Sequence, residues 1–322
     1  MQHSNLKDKK LLYELDFQAR LPLSSLARKI GLSKQGVEYK LHNLVKKRVI
    51  KGFYPVINVP KLGYLYCRLS FSMKNLTSKR EQEILQYLSS HKKVFWLFTA
   101  EGDKDVLVAL WVKAVREFRE FVEEFNSHYG ENISSKNESI NTDVILYQNR
   151  FLLQEKETLE INIAETPERV LIDDIDKDIL RALCVNARAP LVEIAENIGT
   201  SAKVVAYRIR RMEKEKLIEG YRPVIDYNLL GYSYYKVWIM LNNVTSLQLK
   251  KLHHYVKQQQ LTLYLVKGIG FPGDLDIEVV VKSNTELYDF IKELKLAFPM
   301  MIGERRIFMF RDTLKVQFLP FE

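Results

Sequence analysis

The sequence predicts an α+β protein made of two copies of one architecture, each a winged helix-turn-helix followed by a βαββαβ sandwich of one sheet and two helices. Three observations predict it. Shifted by 168 residues, the chain matches itself without a gap from Asp8 to Tyr64, with 23 identities in 57 positions. Each copy opens on a helix, a glycine turn and a serine-capped helix. Each then alternates strand-forming runs with amphipathic helical runs in the same order.

The repeat is plainest in "ARLPLSSLARKIGLSKQGVEYKLHNL" (19–44) against "ARAPLVEIAENIGTSAKVVAYRIRRM" (187–212). A first helix carries Leu11, Leu12 and Leu15, matched by Ile179, Leu180 and Leu183. Arg20-x-Pro22 and Arg188-x-Pro190 follow, and proline suits a first helical turn because its missing N–H has no intrahelical partner there. A short second helix turns Leu26, Ala27 and Ile30 (Ile194, Ala195, Ile198) inward. Gly31 or Gly199 makes the turn, and Ser33 or Ser201 is placed to cap the third helix through its hydroxyl.

The third helix reads face by face. Val37, Leu41 and Leu44 form its inward stripe, matched by Val205, Ile209 and Met212. The opposite face holds Gln35, Tyr39, His42 and Lys46, with Lys34 at the helix start. In the second copy it holds Lys203, Tyr207, Arg210 and Lys214, with Arg211 beside them. Such side chains reach base edges and phosphates when a helix lies in a major groove. These ten are the expected DNA-contacting residues. Gly52 or Gly220 then turns the chain into a short β segment, the expected wing.

The remainder of each copy has the ferredoxin-like order. The first copy reads as a strand over 64–73, a helix over 77–90, strands over 94–100 and 105–112, a helix over 114–125 and a strand within 133–153. The second repeats this, with helices over 246–258 and 284–297 and a last strand within 302–318. The expected units are therefore 1–58 and 171–226 (helix-turn-helix) and 59–153 and 227–322 (sandwich). A charged connector over 154–170 carries Pro167 and joins them, with part of it able to extend the last strand.

Charge is unevenly spread. The net +9 of the 322 residues sits mostly in 1–58, with 12 Lys+Arg against 4 Asp+Glu, whereas 171–226 holds 10 of each. A local basic patch suits a polyanion, and a solvated lysine-rich surface is the plain alternative. No apolar run is long enough to span a bilayer, and "MQHSNLKDKK" does not resemble a signal peptide. Cys67 and Cys184 are the only cysteines, which suggests a reducing, cytoplasmic setting without disulfide or zinc. The spacing of Gly268-x-Gly270-x-x-Gly273 is a loose dinucleotide fingerprint, but a strand rather than a helix follows it. We read those glycines as turn formers. No Cys-x-x-Cys, His-Glu-x-x-His or Gly-x-Ser-x-Gly motif is present, and no cofactor is expected.

The chain resembles the Lrp/AsnC transcription regulators over nearly the whole of each copy. The resemblance is carried by Asp173-x-x-Asp176-x-x-Ile179-Leu180, Ile194-Ala195, Gly199-x-Ser201 and Ile218-x-Gly220-Tyr221, and by Leu-Gly at 62–63 and 230–231. It implies binding of double-stranded DNA, a homo-oligomer built through the sandwich sheets, and an amino acid or similar effector at the sandwich interface. The effector turn of the family has the form Gly-x-x-Asp. Here that places Gly102 and Asp105 in one copy, and Gly270 and Asp274, one residue further apart, in the other. The copies pair either within the chain or with their like in a second chain. Their recognition faces differ, so they are not expected to read the same half-site. Siroheme decarboxylases also resemble this family and give an enzymatic alternative, for which His91, His128, His253 and His254 are available. A third reading is a ligand sensor whose near-neutral second helix-turn-helix no longer touches DNA.

Overall fold

The computed structural model describes residues 5–155, 159–164 and 169–321. The first helical unit is α1 (Leu6–Leu15), α2 (Leu23–Ile30) and α3 (Lys34–Lys46), followed by strand β1 (Ile50–Ile57). Its sandwich is β2 (Leu65–Met73), α4 (Ser78–Ser90), β3 (Val94–Gly102), β4 (Val106–Val112), α5 (Val115–Tyr129) and β5 (Ile133–Tyr147). A short β6 (Glu160–Asn162) in the connector pairs with the end of β5. Pro167 lies outside the described residues.

The second half repeats the order. It has α6 (Asp174–Val185), α7 (Leu191–Asn197), α8 (Ala202–Lys214) and β7 (Ile218–Ile225). Its sandwich is β8 (Ser233–Leu241), α9 (Ser246–Gln258), β9 (Thr262–Ile269), β10 (Leu275–Val281), α10 (Asn284–Ala297) and β11 (Ile302–Val316). Thr77, Thr245 and Ser283 cap α4, α9 and α10, each accepting a backbone N–H through its hydroxyl.

Strand alternation sends two sets of side chains to opposite faces of each sheet. On one face, Cys67, Leu69, Phe71, Val106, Val108 and Leu110 pack on Ile84, Leu88, Phe118, Phe121 and Phe125 of α4 and α5. Val237, Leu265, Ile277 and Val279 pack in the same way on Leu252, Val256, Leu287 and Phe290 of α9 and α10. The other face of each sheet is also rich in aromatics and needs its own cover. The two sheets supply it for each other.

The strands run β5-β2-β4-β3 in one half and β11-β8-β10-β9 in the other, all antiparallel. β5 pairs first with its own β2 and then crosses to β9 (Ile140↔Ile269 to Leu146↔Tyr264). β11 pairs first with β8 and then crosses to β3 (Phe308↔Gly102 to Val316↔Trp96). The sheet therefore closes on itself. The sheet-to-sheet interface expected between chains is used up within one chain.

The expected wings take another form. β1 and β7 pair with each other, Ile50↔Ile225 through Ile57↔Ile218, as a two-stranded ribbon. A lone strand leaves its N–H and C=O groups unmatched, and its counterpart in the other half satisfies them. The helical units are also exchanged. Leu11, Leu26 and Val37 share a core with Leu263 and Val280 of the second sandwich, whereas Ile179, Val205 and Met212 share one with Trp111 of the first.

Candidate nucleic-acid interface

Both recognition helices begin on a serine. Ser33 Oγ accepts from the Gly36 N–H at 3.0 Å, and Ser201 Oγ accepts from the Val204 N–H at 3.3 Å. The inward stripes bury Val37 and Leu44 in α3, and Val205, Ile209 and Met212 in α8. Lys34, Gln35, Tyr39, His42 and Lys46 are exposed on α3, as are Lys203, Tyr207, Arg210 and Lys214 on α8. Tyr39 and Tyr207, at equivalent positions, are 69% and 66% exposed. A tyrosine so exposed contributes little to its own fold and leaves a stacking and hydrogen-bonding surface open.

Arg211 departs from that set. Its Nη2 donates to the buried Asp176 carboxylate near the start of α6, and its Nε lies 3.9 Å from Glu215. Arg208 shares the task, reaching Asp173 at 2.6 Å and Asp176 at 3.3 Å. A carboxylate with no access to water needs such partners, so Arg211 holds α8 to α6 instead of facing outward. In the first half Lys40 does the same for Asp8, at 2.8 Å. Helical angle alone put Arg211 near the outward face and could not show this buried partner.

The two helical units dock reciprocally. Arg20 Nη1 donates to the carbonyls of Ala187 and Ala189, the latter at 3.1 Å, and Arg188 Nη1 donates to the carbonyl of Ala19. Burial, reinforced by the neighbouring Arg20 charge, lowers the pKa of Arg188. Arg20 and Arg188 were legible only as residues beside a helix start. Their repetition at the same offset was the available signal for a symmetric contact.

The two Gly–Asp turns lie where the halves cross. A side chain at Gly102 would place its Cβ 2.3 Å from the Ile307 carbonyl oxygen, and one at Gly270 would meet the Glu138 carbonyl oxygen at 2.7 Å. Asp105 accepts from the Met73 N–H and Asp274 from the Leu241 N–H, both at 2.6 Å. The turn residues thus terminate β2 and β8 and admit the crossing strands. After Gly270 the chain runs directly into strand β10, which leaves no helix N-terminus for a pyrophosphate. The extra residue there accompanies an inward Phe271, whose ring lies 4.8 Å from Trp238.

Between the sheets, beneath the β1–β7 ribbon, lies a cavity of about 260 Å3, lined among others by Tyr66, Arg68, Trp96, Phe98, Lys236 and Trp238. No histidine lines it among the described residues. His91 packs edge-on against Phe121, His128 and His254 are exposed, and His253 is part-buried on α9. Sequence reasoning did not single out Arg68, Lys236, Asp276 and Glu278, which pair with one another between the sheets; the alternation of β2, β8 and β10 was the available signal. No group of three or more candidate metal ligands occurs among the described residues, and no described helix is long and apolar enough to cross a membrane.

Residues 172–213 match the AsnC-type helix-turn-helix domain. Over 104 residues the chain is 39% identical to the proline dehydrogenase transcriptional activator of Rhodobacter capsulatus, a match covering 31% of this chain and 67% of the relative. An uncharacterized HTH-type transcriptional regulator of Pyrococcus furiosus is 29% identical over 135 residues, 42% of this chain and 86% of its own. The HTH-type transcriptional regulator LrpA of Pyrococcus horikoshii is 43% identical over 63 residues, 20% of this chain and 45% of its own. Among solved structures, the siroheme decarboxylase NirDL has a TM-score of 0.64 at 12% identity, covering 98% of this chain and 94% of that one. At that identity the likeness speaks for the shared fold across both halves. With two helix-turn-helix units on crossed sandwiches and these sequence relatives, the chain belongs to the Lrp/AsnC family.

Proposed function

We propose that the chain is a DNA-binding transcription regulator in which one polypeptide presents both recognition helices. The observation that carries this reading is the pair of serine-capped helices with outward, mostly cationic and tyrosine-bearing faces. They are held in fixed relation by the Arg20 and Arg188 contacts and the β1–β7 ribbon. Lys34, Lys46, Lys203, Arg210 and Lys214 meet phosphates in this reading, while Gln35, Tyr39, His42 and Tyr207 reach toward bases. The relatives' names as transcriptional regulators support it.

A small effector acting at the sandwich interface belongs to the same proposal. At the Gly102–Asp105 and Gly270–Asp274 turns it would act through the strand ends that those residues hold. One chain is then the equivalent of a dimer, and assembly into larger homo-oligomers would use the outer helical faces. The enzymatic alternative is less well supported, because no described histidine lines the inter-sheet cavity.

Fluorescence anisotropy on a genomic fragment library tests the proposal. Binding at low salt is expected for a subset of fragments, weakening steeply as salt rises. Absence of affinity for every fragment at low salt would remove the reading.

A further inference from the structure

The two halves repeat each other, but the faces they turn toward the shared cavity do not. Tyr66 and Arg68 on β2 correspond to Tyr234 and Lys236 on β8. Around the second pair the wall is bulky: Trp238 follows on β8, and Phe308 stands opposite Lys236 on β11. At the corresponding places around the first pair stand Ser70, next on β2, and Ser139, opposite Arg68 on β5. Asn137 stands opposite Ser70. The carboxylates are one-sided too. Asp276 and Glu278 come from β10, where β4 has Leu107 and Ala109. One side of the interior is therefore filled by large rings and the other left open beside an arginine.

The groups bordering this opening are partly unsatisfied. Arg68 Nη1 is bound to Asp276 Oδ2 at 2.5 Å, and its Cζ lies 4.4 Å from the Phe271 ring centroid. Arg68 Nε and Nη2, one fork edge of the guanidinium, are buried without a partner. So are the Trp238 Nε1–H, Asn137 Oδ1 and Asp276 Oδ1. Buried polar atoms are normally paired, and four of these five, on Arg68, Asn137 and Trp238, belong to side chains that line the cavity, which calls for a polar occupant. Charge sets a further condition. Arg68 and Lys236 are balanced by Asp276 and Glu278, with Lys236 Nζ 2.7 Å and 2.5 Å from the two carboxylates. A net-neutral, secluded site favours a neutral guest, since an added charge there would go uncompensated.

Size and shape narrow the class. A dry cavity of about 150 Å3 holds benzene, so the 260 Å3 here suits a fused pair of small rings. Trp96, Phe98 and Trp111 offer flat apolar surface. A two-acceptor edge matches the free arginine fork, and a ring N–H matches Asn137 Oδ1. We propose that the cavity between the sheets is a binding site for a neutral oxopurine base, with Arg68 reading its carbonyl and ring-nitrogen edge. The inference goes beyond DNA binding and is tested on the protein alone, so failure of either reading leaves the other standing.

The experiment is calorimetric titration of the full chain with hypoxanthine, adenine and phenylacetate. It is supported by intrinsic fluorescence, because all three tryptophans of the sequence, Trp96, Trp111 and Trp238, line the cavity. Hypoxanthine is expected to bind saturably. Adenine, which puts an amino donor where the fork needs an acceptor, is expected to bind about tenfold more weakly or worse. Arg68→Gln should erase that preference. Ser139→Phe copies the filled half, leaves the Arg68–Asp276 pair intact and should abolish binding, and it serves as the second variant if Arg68→Gln does not fold. No saturable hypoxanthine signal up to about 1 mM, equal affinity for adenine, or preferential binding of phenylacetate would each overturn the proposal.

Discussion

Asp16 and Arg222 form a fully buried ion pair that ties the end of α1 to β7, and replacing it tests how the halves are locked together. Arg222 Nε lies 2.5 Å from Asp16 Oδ1 and Nη2 lies 3.1 Å from Oδ2, while Nη2 also donates to the Tyr147 carbonyl at 3.3 Å. Asp16 Oδ2 accepts from the Asn149 N–H at 2.7 Å. The equivalent positions on the other side of the repeat hold Cys184 and Tyr54, so the fold tolerates a neutral pair there. Asp16→Cys leaves the buried Arg222 guanidinium without its carboxylate, and Arg222→Tyr leaves the buried Asp16 carboxylate without its cation. Each single change should cost about 3–5 kcal/mol. The double variant D16C/R222Y removes both charges and leaves mainly the Asn149 N–H unmatched, a cost of about 1–3 kcal/mol. The coupling between the two sites should therefore reach about 3 kcal/mol or more. Urea unfolding of the four proteins, followed by circular dichroism with a common slope, measures it. If the double variant is destabilised by the sum of the two singles, the pair is not the lock described.

Other outcomes follow from the same geometry. Lys203→Ala with Arg210→Ala should lower the salt slope of DNA binding by about 1.8, from about 0.9 per phosphate contact. Arg211→Ala should leave that slope unchanged and lower stability by loosening Asp176, as anisotropy and urea unfolding together would show. Gly102→Ala should destabilise by more than 2 kcal/mol because the methyl has no room beside the Ile307 carbonyl; Gly199→Ala, at φ +69° in open space, should cost only about 1 kcal/mol. His253 has its pKa lowered to about 4, first by burial and then by Lys267. The unfolded chain binds that proton more readily, so this contribution to stability is complete above the ordinary histidine value and is lost as pH falls toward 4. His253→Gln should flatten the decline in a stability–pH series.

How much could be read in advance depended on how local the cause was. The helix spans 246–258 and 284–297 coincide with α9 and α10, whose starts the structure shows capped by Thr245 and Ser283, local causes that lie beside the helices they begin. The outward set on α3 followed from the same period. Arg211 did not, since what engages it is Asp176, on a different helix. The wing took a different form for a related reason. "VIKGFYPVI" announces a strand, but nothing in it says that the partner is "LIEGYRPVI", 168 residues on. Exchange of the helical units was likewise invisible, because periodicity identifies a buried stripe and not what covers it. Trp111 and Val280, inward at matching positions, end in the cores of opposite helical units. The half-filled cavity depends on which strands of the two halves face each other across the closed sheet, and no local pattern encodes that.

The contacts between Arg20 and Arg188 and their opposite carbonyls have a consequence for dosage. A regulator assembled from separate subunits loses its paired form on dilution, so occupancy of its operator rises steeper than linearly with the amount made. Here the partner is covalently attached, and its effective concentration is set by the connector and not by expression level. Where a single chain occupies the operator, occupancy should follow the first power of protein concentration, because bringing the two recognition helices together needs no second molecule.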